Sequence, residues 1–358
     1  MNILLVTMEM NIGGAETHIL ELATVLKRRN NNVYVISAGG KLVAELEENG
    51  VKHIYAPLKD KKISHVFESA KTIKNAINEY NIDVVHAHAR IPGAICGFVC
   101  KKTNTHFVTT IHGTYKVNPI LKLLTNWGEK TLAVSEDIKK YTIEEYNLDP
   151  KSISVTVNGI NVEKFKKKDI EEDLGITVDE KKKTVIHTSR LDKESSKVAE
   201  TLIEISGDLD KENIQIIIVG AGNYFEELKD KAKDCKNIIF TGARTDVDKI
   251  LNLGNIFVGV SRAALEAMAC ELPVILAGNE AYGQGYQGIF GENSLELAQS
   301  TNFTCRDLEK VDKEMLKNDI LTLLNESVHE MGKYNRKVVE ELYSVEKMAN
   351  DALELYQI

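Results

Sequence analysis

Several residues that could carry chemistry stand where short β-branched runs give way to something else. Gly13-Gly14 follows the run at 3–7 and opens a predicted helix, so bare N–H groups and a permitted positive φ could receive an anion there; a plain tight turn is the alternative. His86 and His88 alternate along a predicted strand and so point the same way. Two imidazoles on one face suggest a metal pair, but the sequence shows no third ligand at fitting spacing, and both are read as scaffold. His112 ends another run and is followed by Gly113, which allows close approach; a core histidine bonded to backbone is the other reading. Asp246-Val247-Asp248 has the letters of a metal-binding Asp-x-Asp, yet it opens a predicted helix after Thr245, where capping is the better reading.

The elements that must position these residues alternate. Predicted strands at 3–7, 32–37, 52–56, 84–88, 107–111 and 130–134 are separated by amphipathic stretches at 15–29, 42–50, 67–80 and 93–101, and a helix opens at Ser135 with Asp137 for capping. A second series of strands follows at 184–188, 214–219, 238–240, 256–260 and 274–276. Strands and helices alternating at this length imply parallel βαβ units and doubly wound sheets, which bind ligands at the carboxyl ends of their strands. The segment 155–161 and the charge run at 164–173 read as a linker. The expected division is an N-terminal Rossmann-like domain over 1–165, a second over 166–331, and a polar amphipathic helix over 332–358 that packs back toward the first.

Bulk properties remove whole classes of function. With 45 Lys and Arg against 53 Asp and Glu, the net charge is −8, so no basic excess exists to neutralise nucleic-acid phosphates. The lysine clusters at 59–62, 164–168 and 181–183 read as solvated faces. Five cysteines, at 96, 100, 235, 270 and 305, fit neither a disulfide framework nor a zinc pattern, which implies reduced core thiols and a cytoplasmic protein. The apolar start at 3–7 has no basic leader, and no stretch approaches the ~18 apolar residues of a membrane span. Contact with a membrane face would be peripheral.

Several segments, taken in order, resemble the GT-B glycosyltransferases of family 4. They are Gly13-Gly14-Ala15-Glu16, Asp83-Val84-Val85-His86-Ala87-His88, Thr110-Ile111-His112-Gly113, Asn158-Gly159-Ile160-Asn161, Ser189-Arg190-Leu191, and Glu266-Ala267-Met268-Ala269-Cys270-Glu271-Leu272-Pro273-Val274-Ile275. The resemblance spans roughly residues 1–280 and implies two Rossmann-like domains facing a cleft. It also implies a retaining, metal-independent transfer of sugar from a nucleoside-diphosphate donor, with no further cofactor. Uridine is the favoured nucleotide and guanosine the alternative. The implied acceptor is a glycan, a glycolipid or another cell-envelope intermediate.

The resemblance also assigns roles. Arg190 would meet the diphosphate with an always-charged fork, and His112 would act beside the sugar or the leaving phosphate. Glu266 would accept hydrogen bonds from the ribose, with helix-end capping as its plain alternative. Gly13, Gly14, Gly220 and Arg244 would line the donor site, the last in the loop that meets the base. Two positions depart from the family pattern. The lysine usual five residues after Arg190 is Ser195, which leaves Lys193 and Lys197, of which Lys197 is preferred. The carboxylate usual eight positions before Glu266 is Val258, and the short Ser261-Arg262-Ala263 replaces a longer loop. Ser261 and Arg262 could contact phosphate instead; Arg262 could equally pair with a carboxylate. The stretch 282–288, rich in Gly, Tyr and Gln, reads as a flap or a surface loop. Three other enzyme readings compete. A nucleotide-sugar epimerase of the same fold is one, and a metal-dependent transferase is another. A dinucleotide oxidoreductase would need a G-x-G-x-x-G that does not follow the first strand. A fourth reading is a sugar-nucleotide-binding subunit without turnover.

Overall fold

Runs of apolar residues with no polar alternation, such as Ile214–Val219, belong in strands covered on both faces, and every residue of that run is buried. A computed structural model describes residues 1–60, 62–115, 117–325 and 329–357. They divide into two units, Met1–Gly159 with Ser344–Ile358, and Ile160–Tyr343.

The first unit runs β1 (Asn2–Val6), α1 (Gly14–Arg28), β2 (Asn32–Ser37), α2 (Val43–Glu48), β3 (Lys52–Tyr55), α3 (Ile63–Glu79), β4 (Val84–Ala87), α4 (Arg90–Thr103), β5 (His106–Ile111), α5 (Pro119–Leu124), β6 (Lys130–Ala133), α6 (Glu136–Tyr146) and β7 (Ile153–Val155). Its sheet is ordered β3-β2-β1-β4-β5-β6-β7, with every neighbouring pair parallel. The second unit runs β8 (Lys183–Thr188), α7 (Lys197–Lys211), β9 (Ile214–Val219), α8 (Phe225–Lys231), β10 (Ile238–Gly242), α9 (Val247–Leu251), β11 (Ile256–Gly259), α10 (Ser261–Ala269), β12 (Val274–Ala277), β13 (Tyr286–Ile289), α11 (Leu295–Ser300), α12 (Lys313–Asn325) and α13 (His329–Leu342). Its order is β10-β9-β8-β11-β12-β13, parallel except for β13, which runs antiparallel to β12. Strand order reverses between β1 and β4 in one sheet and between β8 and β11 in the other, and doubly wound sheets bind ligands at such points.

Local chemistry sets the ends of several helices. Asn104 and Asn147 adopt left-handed conformations at φ 55° and 54° and stop α4 and α6, a role asparagine fills at low steric cost. Ser135 stands at the N-cap of α6, but its hydroxyl turns to Asp137 rather than to the helix backbone.

Three expectations change. The division falls after Gly159 instead of 165, because Ile160 already bonds to the Tyr343 carbonyl at 2.7 Å and Phe165 is buried within the second unit. The stretch expected as one helix from 332 is two. α13 stays in the second unit, and Ser344 caps a new helix, α14 (Val345–Leu355), which packs on α1 in the first. Finally, 282–288 is not a free flap. Gly285 donates to Cys305 O at 2.8 Å, and Tyr286 enters β13, with its hydroxyl 2.6 Å from Asp319 Oδ2.

Candidate active site

In the second unit, turns leaving three adjacent strands lie against one another. Gly220 has φ 146°, and a Cβ there would stand 1.9 Å from the Ser189 carbonyl oxygen; at Gly222 it would stand 2.2 Å from the Leu191 carbonyl carbon. Only glycine permits this approach. It lets Leu191 N donate to Ala221 O (3.1 Å), Tyr224 N to Leu191 O (2.9 Å) and Gly220 N to Gly242 O (3.0 Å). The result fixes the backbone on both sides of Arg190, whose side chain remains 71% exposed with Asp192 3.9 Å from its Nε.

Ser195, where a lysine was expected, is buried and supplies no cation. Its hydroxyl donates to Arg190 O at 2.6 Å, and it closes a capping box with Asp192. Lys197 is half-buried in the first turn of α7, and Lys193 is exposed. His187, which the sequence reading passed over, is buried on β8. It bridges Val258 O (2.8 Å) and Ser189 Oγ (2.9 Å), tying β11 to the Arg190 turn. Burial lowers its pKa to about 4, so it is neutral near pH 7.

At the switch-point end of β11, Ser261 takes φ 58° and its N–H bonds to Phe303 O at 2.6 Å. Arg262 Nε lies 2.8 Å from Glu266 Oε1, one turn on, with the two side chains 16% and 14% exposed. Arg262 thus pairs with Glu266 itself. Glu266 is the sixth residue of α10, so its charge is met by a guanidinium and not by a helix-end cap. Arg244 is also engaged. It grips Asp246 through two bonds of 2.8 and 2.6 Å and Leu174 O at 2.9 Å, which leaves the forked face committed within the fold. The Asp-x-Asp letters are accounted for here: Asp246 holds Arg244, and buried Asp248 holds Lys168 at 2.6 Å. Neither aspartate caps α9 as expected.

In the first unit, Gly13 is the N-cap of α1 and Gly14 its first residue. The Glu16 carboxylate folds back so closely that a Cβ on Gly13 would meet its Oε2 at 2.3 Å. Burial raises the Glu16 pKa. Any anion approaching these amides would share them with that carboxylate.

Beyond β4 and β5 lies a cluster of imidazoles. His86 is buried with both ring nitrogens engaged, Nδ1 by Tyr356 OH and Nε2 by Thr110 Oγ1, each at 2.7 Å. His88 Nδ1 and His112 Nε2 are 3.2 Å apart, and His18 Nδ1 faces Asn158 Oδ1 at 3.2 Å. Burial, reinforced by the neighbouring histidines, holds His88 and His112 well below the ordinary histidine range, so both are neutral. The third histidine that the sequence reading did not find beside His88 is thus supplied twice, by α1 and by the residue after β5.

Known proteins resolve what such a pair of sheets is. The model described as Glycosyltransferase Family 4 matches residues 12–164, and that described as Glycosyl transferases group 1 matches residues 182–307. The chain belongs to these glycosyltransferases. N-acetyl-alpha-D-glucosaminyl L-malate synthase of Bacillus anthracis is 28% identical over 220 residues, 54% of this chain, and the chain covers little more than half, 56%, of that relative. UDP-Gal:alpha-D-GlcNAc-diphosphoundecaprenol alpha-1,3-galactosyltransferase of Escherichia coli is 24% identical over 74% of this chain and 76% of its own. Among solved structures, a glycosyltransferase from Rickettsia africae superposes with TM-score 0.79 at 22% identity, covering 99% of this chain and 98% of that one. Anabaena HepE in complex with UDP gives 0.76 at 15%, covering 99% of each. The fold of this glycosyltransferase is GT-B.

Proposed function

We propose that this glycosyltransferase moves a sugar from a uridine-diphosphate donor to a cell-envelope or polysaccharide acceptor. The anomeric configuration is retained, and no metal bridges the donor phosphates. The observation that carries the reading is the Arg190 turn. Glycines 220 and 222 lock its backbone while the guanidinium stays open to solvent, a preorganised cation at the carboxyl end of a switch-point strand. As the bond from the sugar anomeric carbon to the diphosphate oxygen breaks, negative charge grows on the phosphate. Arg190 and Lys197 stabilise it, the acceptor oxygen attacks from the same face, and its proton passes to the leaving phosphate. Glu266 receives the ribose hydroxyls, with Arg262 holding its carboxylate in place. A uridine donor is supported by the structurally similar HepE, crystallised with UDP and with UDP-glucose.

On the acceptor side, a cavity of about 430 Å³ in the first unit is lined by Met8, Val66, Ile91, Ile95, Tyr115 and Leu124. The helices beside it expose Ile63 and Phe67 on α3 and Ile120 and Leu123 on α5. Apolar side chains left wet in one patch favour a lipid-linked acceptor at a membrane surface. No helix among the described residues is long and apolar enough to cross a membrane.

Calorimetric titration with UDP, GDP, ADP and CMP in the presence of a chelator tests the donor assignment. UDP is expected to bind most tightly, with binding lost in Arg190→Ala and in Glu266→Gln. Glu266→Gln is preferred to Glu266→Ala because it keeps a hydrogen-bond acceptor for Arg262. Equal heats for wild type and Glu266→Gln would remove Glu266 from the donor site. Absence of binding to every nucleotide would favour a subunit without turnover.

A further inference from the structure

Three buried or half-buried imidazoles converge in the first unit, among them His112, which the family resemblance sets beside the sugar or the leaving phosphate. His18 comes from α1, His88 from the turn after β4 and His112 from the turn after β5. One ring nitrogen from each lies within 4.8 Å of the others. The ring centroids are separated by 4.8 Å (His18 to His112), 5.5 Å (His88 to His112) and 5.7 Å (His18 to His88). Imidazoles bound at ~2.0–2.1 Å to one tetrahedral ion place their centres roughly 5 Å apart and their ligating nitrogens about 3.3 Å apart. The observed centroid spacings match the first of these figures; the 3.2 Å contact of His88 Nδ1 with His112 Nε2 is a hydrogen bond on the other edge of the His88 ring from its Nε2.

The surroundings fit a ligand set as well. His88 Nε2 is buried without a hydrogen-bond partner among the described residues, a cost that a protein seldom leaves standing. Asn158 Oδ1, 3.2 Å from His18 Nδ1, would fix that ring's tautomer from outside, as second ligand layers commonly do. His86, with its centroid 4.1 Å from that of His88, is excluded as a ligand because Tyr356 and Thr110 occupy both its nitrogens. It packs the His88 ring in place. His112 is the one of the three that is not fully buried, which leaves a route for a cation and for a fourth, solvent ligand.

From this geometry we propose that His18, His88 and His112 bind one borderline divalent cation of the zinc class, with water completing a tetrahedron. All-imidazole sites select zinc, cobalt, nickel or copper over magnesium or calcium. The proposal rests on the placement of the rings and not on the donor assignment, so its test uses no activity.

Chelator-treated full-length protein is titrated with Co2+, reading the visible bands of four-coordinate cobalt, and separately with Zn2+, reading thermal stability. One equivalent of cobalt is expected to produce the bands, and zinc to displace it and raise Tm. His88→Gln and His112→Gln should abolish the bands, and Asn158→Ala should weaken binding about tenfold. His65→Gln, a surface control, should change nothing. If a buried variant fails to fold, His112→Gln together with the wild-type Tm shift decides the matter. Absence of a one-equivalent cobalt spectrum in the wild type, or its survival in folded His112→Gln, would overturn the site.

Discussion

Ser195 shows how one residue can replace a charge with geometry. Its hydroxyl caps its own turn and holds the Arg190 carbonyl at 2.6 Å, so in the proposed transfer the cations are Arg190 and Lys197. Ser195→Ala should cost about 1 kcal/mol of stability and weaken nucleotide binding by loosening Arg190; denaturant melts and calorimetry on the same variant would check both. His187 carries the pH prediction. Its folded pKa of about 4 lies below the ordinary histidine value of 6.5, so the unfolded chain binds the proton more readily. Its stabilising contribution is complete above pH 6.5 and drains away as pH falls to about 4, by roughly 3 kcal/mol at most. Tm measured between pH 7 and 4 should fall more steeply in the wild type than in His187→Gln. Part of this scale was legible: the Arg262–Glu266 pair was there to be read in an i, i+4 spacing, while the donor roles of Arg190 and Glu266 come from local motifs and stand as proposals. The meeting of His18 with His88 and His112 was not legible, since it depends on the strand order that brings β4 and β5 beside the start of α1.

The strands and helices themselves were largely readable, because buried parallel strands are short apolar runs and the helices between them are amphipathic. The misses have physical causes. β7 is three residues with one exposed, too short to stand out as a strand, and the expected linker already began at its last residue, Val155. β13 begins within a run of glycine, tyrosine and glutamine that shows no sustained β-branched pattern, and pairing with β12 rather than propensity makes it a strand. The short helix α5 is the most informative element for the acceptor. None of its residues is buried, and Ile120, Leu123 and Leu124 are 71%, 86% and 60% exposed. Leu123→Glu with Ile120→Glu is expected to leave Tm unchanged and to lower flotation with anionic lipid vesicles severalfold. Equal flotation of the two proteins would take the lipid surface away from this helix.

At the scale of the whole chain, the last helix belongs with the first. Val345, Met348, Ala349, Ala352 and Leu355 of α14, with Tyr356 just after it, enter the core cluster built by β1, α1 and β2. Arg28 and Arg29 clasp Glu346 at the rim. The second unit, residues 160–343, draws its core from its own strands and helices. A chain ending at Tyr343 should therefore lose the cooperative melting of the first unit while the second keeps its own transition, which calorimetry would resolve as one surviving peak. A single peak of unchanged enthalpy in the shortened chain would contradict this.

The same arrangement bears on synthesis. A ribosome working from the N-terminus completes every residue of the second unit before it makes the helix that the first unit needs. Residues 1–159 must then wait, with the apolar face of α1 exposed, until α14 has left the exit tunnel. The part of this enzyme made first is the part that finishes folding last.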